Sequence, residues 1–422
     1  MENNYCEYFW KRANAPFSWF GPRLKEKVRA IHRMFARAIC RQLSPHRFEI
    51  ERSRNVLGIW LVASLAVFIA PAQATDFSAS GPFAVGVQTF ALGGENGLHP
   101  LTGIMWYPAS GASANLIGTP VRDVHPAKDA APAAGDRFPL LVLIPGLDSF
   151  GTHYETLSKL LASNGFVVMA ADYDLAPNLP PDPGMDRVDF DKRRLLYDRP
   201  ANVLRVIAFA DQATAPGGKW VGLIDTARIG VFGHSTGGTT GLQAGGAQID
   251  FQALSDWCTA NAKNMEVKYG ESCAFLGHEQ AIAKVYGSDD AFGGLLPALW
   301  DKRVAALVLV APGGELHVFG SSGLAKVTVP TLFIVSADDG IVNPETNAFW
   351  AYQNIGSKEE ALATFEGGGH TMILGFGRQF DAAAFLTTAF FLSHLKGDTE
   401  AEAALLPTAV DIPGMAYEAI LP

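Results

Sequence analysis

The sequence lacks three common signatures of metal and nucleotide sites. Its 422 residues contain no H-E-x-x-H zinc motif, no G-x-x-x-x-G-K-[ST] phosphate loop and no G-x-G-x-x-G dinucleotide fingerprint. These absences favour a protein that uses no metal ion and no organic cofactor. The composition also argues against disorder, because 48% hydrophobic residues, with 11% aromatic ones, are enough to form a large buried core.

Positive charge is scarce after residue 74. Residues 1–74 contain twelve Lys and Arg against five Asp and Glu, whereas the remaining residues contain 21 Lys and Arg against 37 Asp and Glu. An acidic domain of this kind repels phosphate groups. We therefore expect neither nucleic acid nor an anionic membrane as a partner of the main domain, and the sequence indicates no oligomeric state.

Residues 56–70 form an uncharged apolar run that follows two arginines and precedes Ala-Gln-Ala. This pattern is typical of a secretory signal peptide and predicts cleavage after Ala74. The expected organisation is an N-terminal extension and signal peptide (1–74) followed by one main domain (75–422) in the periplasm or outside the cell. An uncleaved anchor, which would be the only membrane contact, and a true start at Met34 are the alternatives.

Cysteine is also scarce, with four in the chain. Cys6 and Cys40 lie in the segment expected to be removed, so the exported protein would keep only Cys258 and Cys273. In an oxidising compartment this pair is expected to form a disulfide, which would stabilise the chain by about 3 kcal/mol in the loop-entropy model. Two free thiols are the alternative for a protein that stays in the cytosol.

The apolar pattern predicts an α/β fold with a mostly parallel, doubly wound sheet. An antiparallel pair of strands is expected at 83–92 and 102–108. Near-continuous apolar runs, typical of strands covered on both faces, follow at 138–145, 165–173, 228–233, 304–312 and 329–337. Helical patterns separate several of these runs, as at 153–165 and 198–213.

Three stretches interrupt this alternation. Residues 111–136 are rich in alanine and are expected to form a surface excursion. Residues 176–190 are rich in proline and predict an exposed loop on the side of the sheet where ligands bind. Residues from about 246 to 300 carry both remaining cysteines and are the expected cap over the site.

The pentapeptide around Ser235 has the form G-x-S-x-G, with Gly233 and Gly237 at its ends. It follows an apolar strand and precedes a run of small residues that suits a helix. A sharp strand-to-helix turn of this kind exposes a nucleophilic serine, and the two glycines avoid clashes within the turn. The backbone N–H of Thr236 would then help to stabilise an oxyanion. The alternative is an ordinary glycine turn with a capping serine.

A serine nucleophile needs a histidine base and a carboxylate, which in chains with this turn follow in the order acid, then histidine. His370 follows a strand and three glycines and is the expected base. Asp339 is the favoured acid because it directly precedes a turn, and Asp338, the alternative, is expected to cap the loop. His394 lies in a helical pattern and is interpreted as a structural residue.

A second oxyanion donor is expected from the loop after the strand at 138–145. Leu147 would supply its backbone N–H, and Gly146 would let the chain approach the substrate closely. His153 and His234 lie near the predicted site in the sequence, and we interpret both as structural neighbours rather than catalytic residues.

Several stretches together resemble a known family, among them "LLVLIPGLDSFGTHYETLSKLLASNGFVV", "ARIGVFGHSTGG" and "FEGGGHTM". From about residue 83 to 395 the chain resembles bacterial predicted dienelactone hydrolases that group with platelet-activating factor acetylhydrolase and cutinase-like polyester hydrolases. The resemblance implies an α/β-hydrolase fold with an inserted cap after the helix that follows the serine. By position it implies a nucleophile, an acid, a base and two oxyanion donors at Ser235, Asp339, His370, Leu147 and Thr236.

These features predict a serine carboxylester hydrolase that works through an acyl-enzyme and needs no cofactor. Its substrate would be a small-molecule or lipid-like ester, with a polymeric ester as an alternative. An amidase or peptidase and an acyltransferase could use the same triad. A non-catalytic binding module is a further alternative, and it predicts an incomplete triad.

Overall fold

The computed structural model describes residues 75–111, 117–135, 137–173, 186–264 and 272–421. The predicted signal segment, with its cleavage after Ala74, lies outside these residues. So does most of the proline-rich stretch 176–190. Its last residues are described, and they contradict the prediction of a loop: Asp186 accepts a hydrogen bond from the Asp189 N–H and caps a helix that begins at Arg187.

The described residues form one sheet of ten strands. In chain order they are β1 (Ala84–Leu92), β2 (Leu101–Ala109), β3 (Ala127–Lys128), β4 (Phe138–Ile144), β5 (Val167–Ala171), β6 (Ile224–His234), β7 (Val304–Val310), β8 (Thr331–Ser336), β9 (Glu360–Phe365) and β10 (Met415–Ile420). Their order across the sheet is β10-β9-β8-β7-β6-β4-β5-β2-β1-β3.

The sheet has a parallel centre with antiparallel additions. Strands β5, β4, β6, β7, β8 and β9 pair in parallel, while β1 with β2, β2 with β5 and β9 with β10 are antiparallel. The predicted first pair and the predicted parallel strands are therefore confirmed. Every residue of β4 and of β8 is buried, because helices cover both faces of the sheet.

Ten α-helices occur among the described residues. They are α1 (Glu155–Ser163), α2 (Arg187–Arg193), α3 (Arg199–Thr214), α4 (Thr236–Ala244), α5 (Phe251–Ala260), α6 (Glu279–Val285), α7 (Gly320–Leu324), α8 (Ala348–Tyr352), α9 (Arg378–Lys396) and α10 (Thr399–Ala404). A π-helical stretch (Arg194–Asp198) joins α2 to α3. In the described part of the chain, no helix combines the length and the apolar character needed to span a bilayer.

Two cores lie on the two faces of the sheet. Alternate residues of β4 enter different cores, with Leu140 and Val142 in one and Leu141 and Leu143 in the other. Helix α3 packs into the first core, and helices α1 and α9 pack into the second. This arrangement explains why the parallel strands are uninterrupted apolar runs rather than alternating ones.

The segment 246–300 lies between α4 and β7 and contains α5, α6 and a short 3₁₀ turn (Ser272–Phe275). The expected disulfide between Cys258 and Cys273 is present, with its two Cα atoms 5.9 Å apart. The Trp257 ring of α5 stacks on His317 with ring centroids 3.6 Å apart. The bridge therefore links two parts of the segment itself, and the aromatic contact ties the segment to the rest of the protein.

Candidate active site

The chain turns sharply between β6 and α4. Strand β6 ends at His234 and helix α4 begins at Thr236, so Ser235 alone makes the turn. Its backbone has φ 56° and ψ −128°, a conformation that costs an L-residue on the order of 1–3 kcal/mol. The Ser235 N–H donates to the carbonyl of Val310 at the end of β7, 3.0 Å away, which helps to hold this strained residue in place.

The glycines at 233 and 237 are required by close backbone contacts. A Cβ atom on Gly233 would lie 2.3 Å from the carbonyl oxygen of Gly237. A Cβ atom on Gly237 would lie 2.1 Å from the carbonyl oxygen of Ile144 in β4. Both distances are far below van der Waals contact, so the turn accepts only glycine at these positions, as the sequence pattern predicts.

Ser235, His370 and Asp339 form a continuous chain of hydrogen bonds. The Ser235 hydroxyl lies 2.9 Å from Nε2 of His370. Nδ1 of the same ring lies 2.8 Å from Oδ2 of Asp339. The side chains of His370 and Asp339 are 8% and 2% exposed, so this hydrogen bond is largely shielded from water. The geometry suits a histidine that accepts the serine proton while a carboxylate fixes its ring.

Asp339 is fixed from its other side as well. Its Oδ1 atom accepts the backbone N–H groups of Ile341 and Val342, each at 2.9 Å. Its two oxygens thus have separate partners, the turn and the imidazole. The turn after Asp339, which distinguishes it from its neighbour in the sequence, is the feature that positions this carboxylate.

Asp338 has a different set of contacts. Its Oδ1 atom accepts the Ser336 hydroxyl at 2.5 Å and the Gly369 N–H at 2.8 Å. The Ser336 hydroxyl bond, followed by the Gly369 N–H bond, lowers the pKa of the Asp338 carboxyl below its usual value. Because Gly369 directly precedes His370, Asp338 caps the loop that presents the histidine, as expected for the alternative aspartate.

Two backbone N–H groups, on the two chain segments that meet at Ser235, have no protein acceptor among the described residues. They belong to Thr236, at the start of α4, and to Leu147, in the loop after β4. This loop is close to Ser235, since a Cβ atom on Gly146 would lie 3.3 Å from Cβ of Ser235. Thr236 and Leu147 are the two residues whose N–H groups the sequence predicts as oxyanion donors, and that role stays a prediction.

A buried arginine supports the same loop. Arg199, at the start of α3, is 1% exposed, and its guanidinium donates to the carbonyl oxygen of Pro145 and to the Thr240 hydroxyl. Its carbonyl contact fixes the peptide directly before Gly146. Sequence reasoning missed this residue, because an arginine in a helical pattern gives no sign that it points inwards.

Three other histidines considered from the sequence have side-chain partners other than the Ser235 hydroxyl and the Asp339 carboxylate. His153 lies in the turn before α1, where its Nδ1 atom is 2.9 Å from the Ser149 hydroxyl. His394 lies in α9, 3.6 Å from the carboxylate of Glu359. His234 is buried beside the turn and contacts Tyr154, a residue that the sequence did not single out. In the described residues, no group of three or more His, Cys, Asp or Glu side chains is arranged to hold a metal ion.

Comparisons with known proteins agree with this fold. The model of the alpha/beta hydrolase family matches residues 141–383, more than half of the chain. The model of platelet-activating factor acetylhydrolase, isoform II, matches residues 80–174, from the first strands to the end of β5. No curated protein matches the sequence. The chain belongs to the alpha/beta hydrolase family and is a hydrolase, which confirms the resemblance and the fold inferred from its sequence.

Proposed function

We propose that this hydrolase is a serine carboxylester hydrolase that works through an acyl-enzyme. The observation that carries the proposal is the hydrogen-bonded chain from Ser235 through His370 to Asp339 at the strained turn after β6. A strained serine at this turn is exposed to substrate, and an oriented histidine makes its hydroxyl nucleophilic.

The reaction begins when Nε2 of His370 takes the proton of the Ser235 hydroxyl. The serine oxygen attacks the ester carbonyl, and the N–H groups of Leu147 and Thr236 stabilise the resulting oxyanion. His370 then returns the proton to the leaving alcohol, which leaves an acyl-serine. A water molecule, deprotonated by His370, releases the acid and restores the serine, while Asp339 stabilises the imidazolium in both halves.

Apolar side chains on the loops beside the triad support an ester with an apolar group. Leu147 and Phe150 follow β4, Ile341 follows Asp339, and Phe376 follows His370, and all four are 41% to 72% exposed. The match to the platelet-activating factor acetylhydrolase model over residues 80–174 favours the same class. We infer that small-molecule or lipid-like esters are the substrates.

Export through the segment 1–74 remains part of the proposal. An oxidising compartment suits the disulfide between Cys258 and Cys273, since such bridges are rare in the cytosol. Detection of a mature chain that begins at Thr75 in the periplasm or medium would support export. A full-length chain that stays in the cytosol with free thiols would contradict it.

The test is the hydrolysis of p-nitrophenyl esters from acetyl to palmitoyl by the purified protein and by Ser235→Ala. We expect turnover by the wild type and a loss of about 10⁴-fold or more in the variant, because the nucleophile is removed. Equal rates in both proteins would contradict the proposal. Cleavage of p-nitroanilides without ester cleavage would favour an amidase, and acyl transfer to an added alcohol in preference to water would favour a transferase.

A further inference from the structure

Two buried polar residues beside the triad have no part in the reaction as described. Tyr154, at the end of the 3₁₀ turn Gly151–Tyr154, is 1% exposed, and His234, the last residue of β6, is 3% exposed. Their side chains meet, with the Tyr154 hydroxyl 2.7 Å from Nδ1 of His234. Buried polar side chains in such contact form a network in which each partner depends on the other.

Each end of this pair contacts the backbone of a different loop of the site. Nε2 of His234 lies 2.9 Å from the carbonyl oxygen of His370. The Tyr154 hydroxyl lies 3.1 Å from the backbone nitrogen of Gly146, the residue before the oxyanion donor Leu147. The pair therefore joins the loop after β4 (residues 145–150), here called the oxyanion loop, to the loop that carries His370. The connection runs through His234, which directly precedes Ser235.

The hydrogen-bond partners of Tyr154 and His234 determine which atom donates and which accepts in each contact. A carbonyl oxygen only accepts, so Nε2 of His234 carries the proton, and this N–H donates a hydrogen bond to the carbonyl oxygen of His370. Nδ1 of the neutral ring is then an acceptor, and the Tyr154 hydroxyl donates to it. The tyrosine oxygen in turn accepts the N–H of Gly146, which leaves the next N–H, that of Leu147, for the oxyanion.

Electrostatics keep both residues neutral. Burial lowers the pKa of His234 to about 4, against a smaller opposing effect of its bond to the His370 carbonyl. Burial also raises the pKa of the Tyr154 hydroxyl above its ordinary value. Hydrogen bonds from the Gly146 N–H and Ser149 and the charge of Arg199 partly oppose the shift at Tyr154, and His370 and Asp339 act on His234. The net result is a tyrosine that donates and a histidine that accepts.

We propose that Tyr154 and His234 are positioning residues, which together hold the oxyanion loop and His370 in register with Ser235. The proposal rests on the proposed serine hydrolase function. Loss of either side chain frees one loop to shift relative to the serine. A displacement of about 1 Å in reacting groups lowers the rate on the order of 10²-fold, whereas it leaves the binding of substrate elsewhere in the site largely intact.

The experiment measures kcat and KM on the preferred p-nitrophenyl ester for Tyr154→Phe, His234→Leu and the double variant. We expect kcat to fall about 10- to 100-fold in each single variant, with KM changed by less than about threefold. The double variant should fall no further than the worse single one, because the two residues act as one unit. His234→Gln, whose amide both accepts and donates, should restore part of kcat.

Tyr107→Phe is the matched control. Tyr107 is a buried tyrosine of β2 whose hydroxyl donates to the carbonyl of Ala130 at 2.6 Å, far along the sheet from the triad. Removal of the Tyr107 hydroxyl should lower the thermal midpoint of unfolding as Tyr154→Phe does, but kcat should stay within about twofold of the wild type. If Tyr154→Phe behaves in the same way and keeps its kcat, the positioning role is wrong and the hydrolase function stands.

Two further readouts separate this proposal from the proposed function. The ¹⁵N NMR signals of His234 should report a neutral ring protonated at Nε2 at pH 7, and a ring protonated at Nδ1 would overturn the network. Labelling of Ser235 by a fluorophosphonate reports the nucleophile independently of ester choice. A wild type that neither hydrolyses any ester nor reacts with this probe would overturn the proposed function and the catalytic part of this proposal with it.

Discussion

The strand ends near Ser235, Asp339 and His370 and the inserted segment 246–300 are stabilised in different ways. At the strand ends, backbone contacts fix the site, as where Gly237 fits against the carbonyl of Ile144. In the inserted segment, side chains fix the structure through the Cys258–Cys273 bridge and the stacking of Trp257 on His317. Local backbone geometry leaves a short motif in the sequence. Of the two side-chain contacts, the disulfide shows in the pair of cysteines, whereas the Trp257–His317 stacking leaves no sequence signal.

The strongest test of the strand ends compares two neighbouring carboxylates. Asp339→Asn should lower kcat about 10³- to 10⁴-fold, because the amide no longer stabilises the imidazolium of His370. Asp338→Asn should lower it by less than about tenfold, since an amide oxygen can still accept the Gly369 N–H that caps the loop. Steady-state kinetics on the same ester measure both effects.

Each variant in this pair serves as a control for the other. Both remove one negative charge from the same loop, so a general effect of charge would lower the two rates equally. A larger loss in Asp338→Asn than in Asp339→Asn would show that the wrong aspartate has been assigned as the acid.

The second test concerns the backbone contact at the turn. Gly237→Ala should lower the free energy of unfolding by about 3 kcal/mol or more, because its Cβ would overlap the Ile144 carbonyl and neither backbone can move freely. Gly93→Ala should change it by less than about 1 kcal/mol, since nothing lies within 4 Å of the added atom. Urea unfolding of both variants gives the comparison, and equal midpoints would contradict it.

The same contrast explains how far the sequence predicts the molecule. Ser235, Asp339 and His370, which lie together in the fold, could be singled out because each follows an apolar strand and lies beside turn residues, as Gly340 follows Asp339. Tyr154 and Arg199 could not be found, since their roles depend on loops that meet only in the fold. Strand β10 was missed because its side chains alternate between exposed and half-buried at the edge of the sheet, unlike the runs at its centre.

The third test removes the bridge in the inserted segment. The double variant Cys258→Ser, Cys273→Ser should lower the free energy of unfolding by about 3 kcal/mol, as expected for a loop of this length. At 25 °C kcat should change by less than about threefold, because the sheet and not the segment positions the triad. Denaturant unfolding and kinetics on one preparation measure both quantities. A loss of kcat comparable to that of Asp339→Asn would mean that the inserted segment helps to position the reacting groups.

The smallest expected effect concerns the aromatic contact of the same segment. The His317 ring lies between Trp257 and Trp350, with centroids 3.6 and 4.1 Å away, and burial lowers its pKa to about 4. In the unfolded chain its pKa is about 6.5. Protonation therefore favours unfolding, so the stability that the neutral ring contributes is present above pH 6.5 and is lost as the pH falls towards 4.

His317→Phe keeps a ring between the two tryptophans and removes this titration. The free energy of unfolding should then fall less steeply between pH 6 and 4.5, by about 1 kcal/mol per pH unit relative to the wild type. His394→Phe is the matched variant, since burial also lowers the pKa of His394 to about 4, but in α9 rather than beside the inserted segment. Both variants should flatten the dependence of the unfolding free energy on pH. Slopes equal to that of the wild type in both variants would show that burial does not lower the pKa of either histidine.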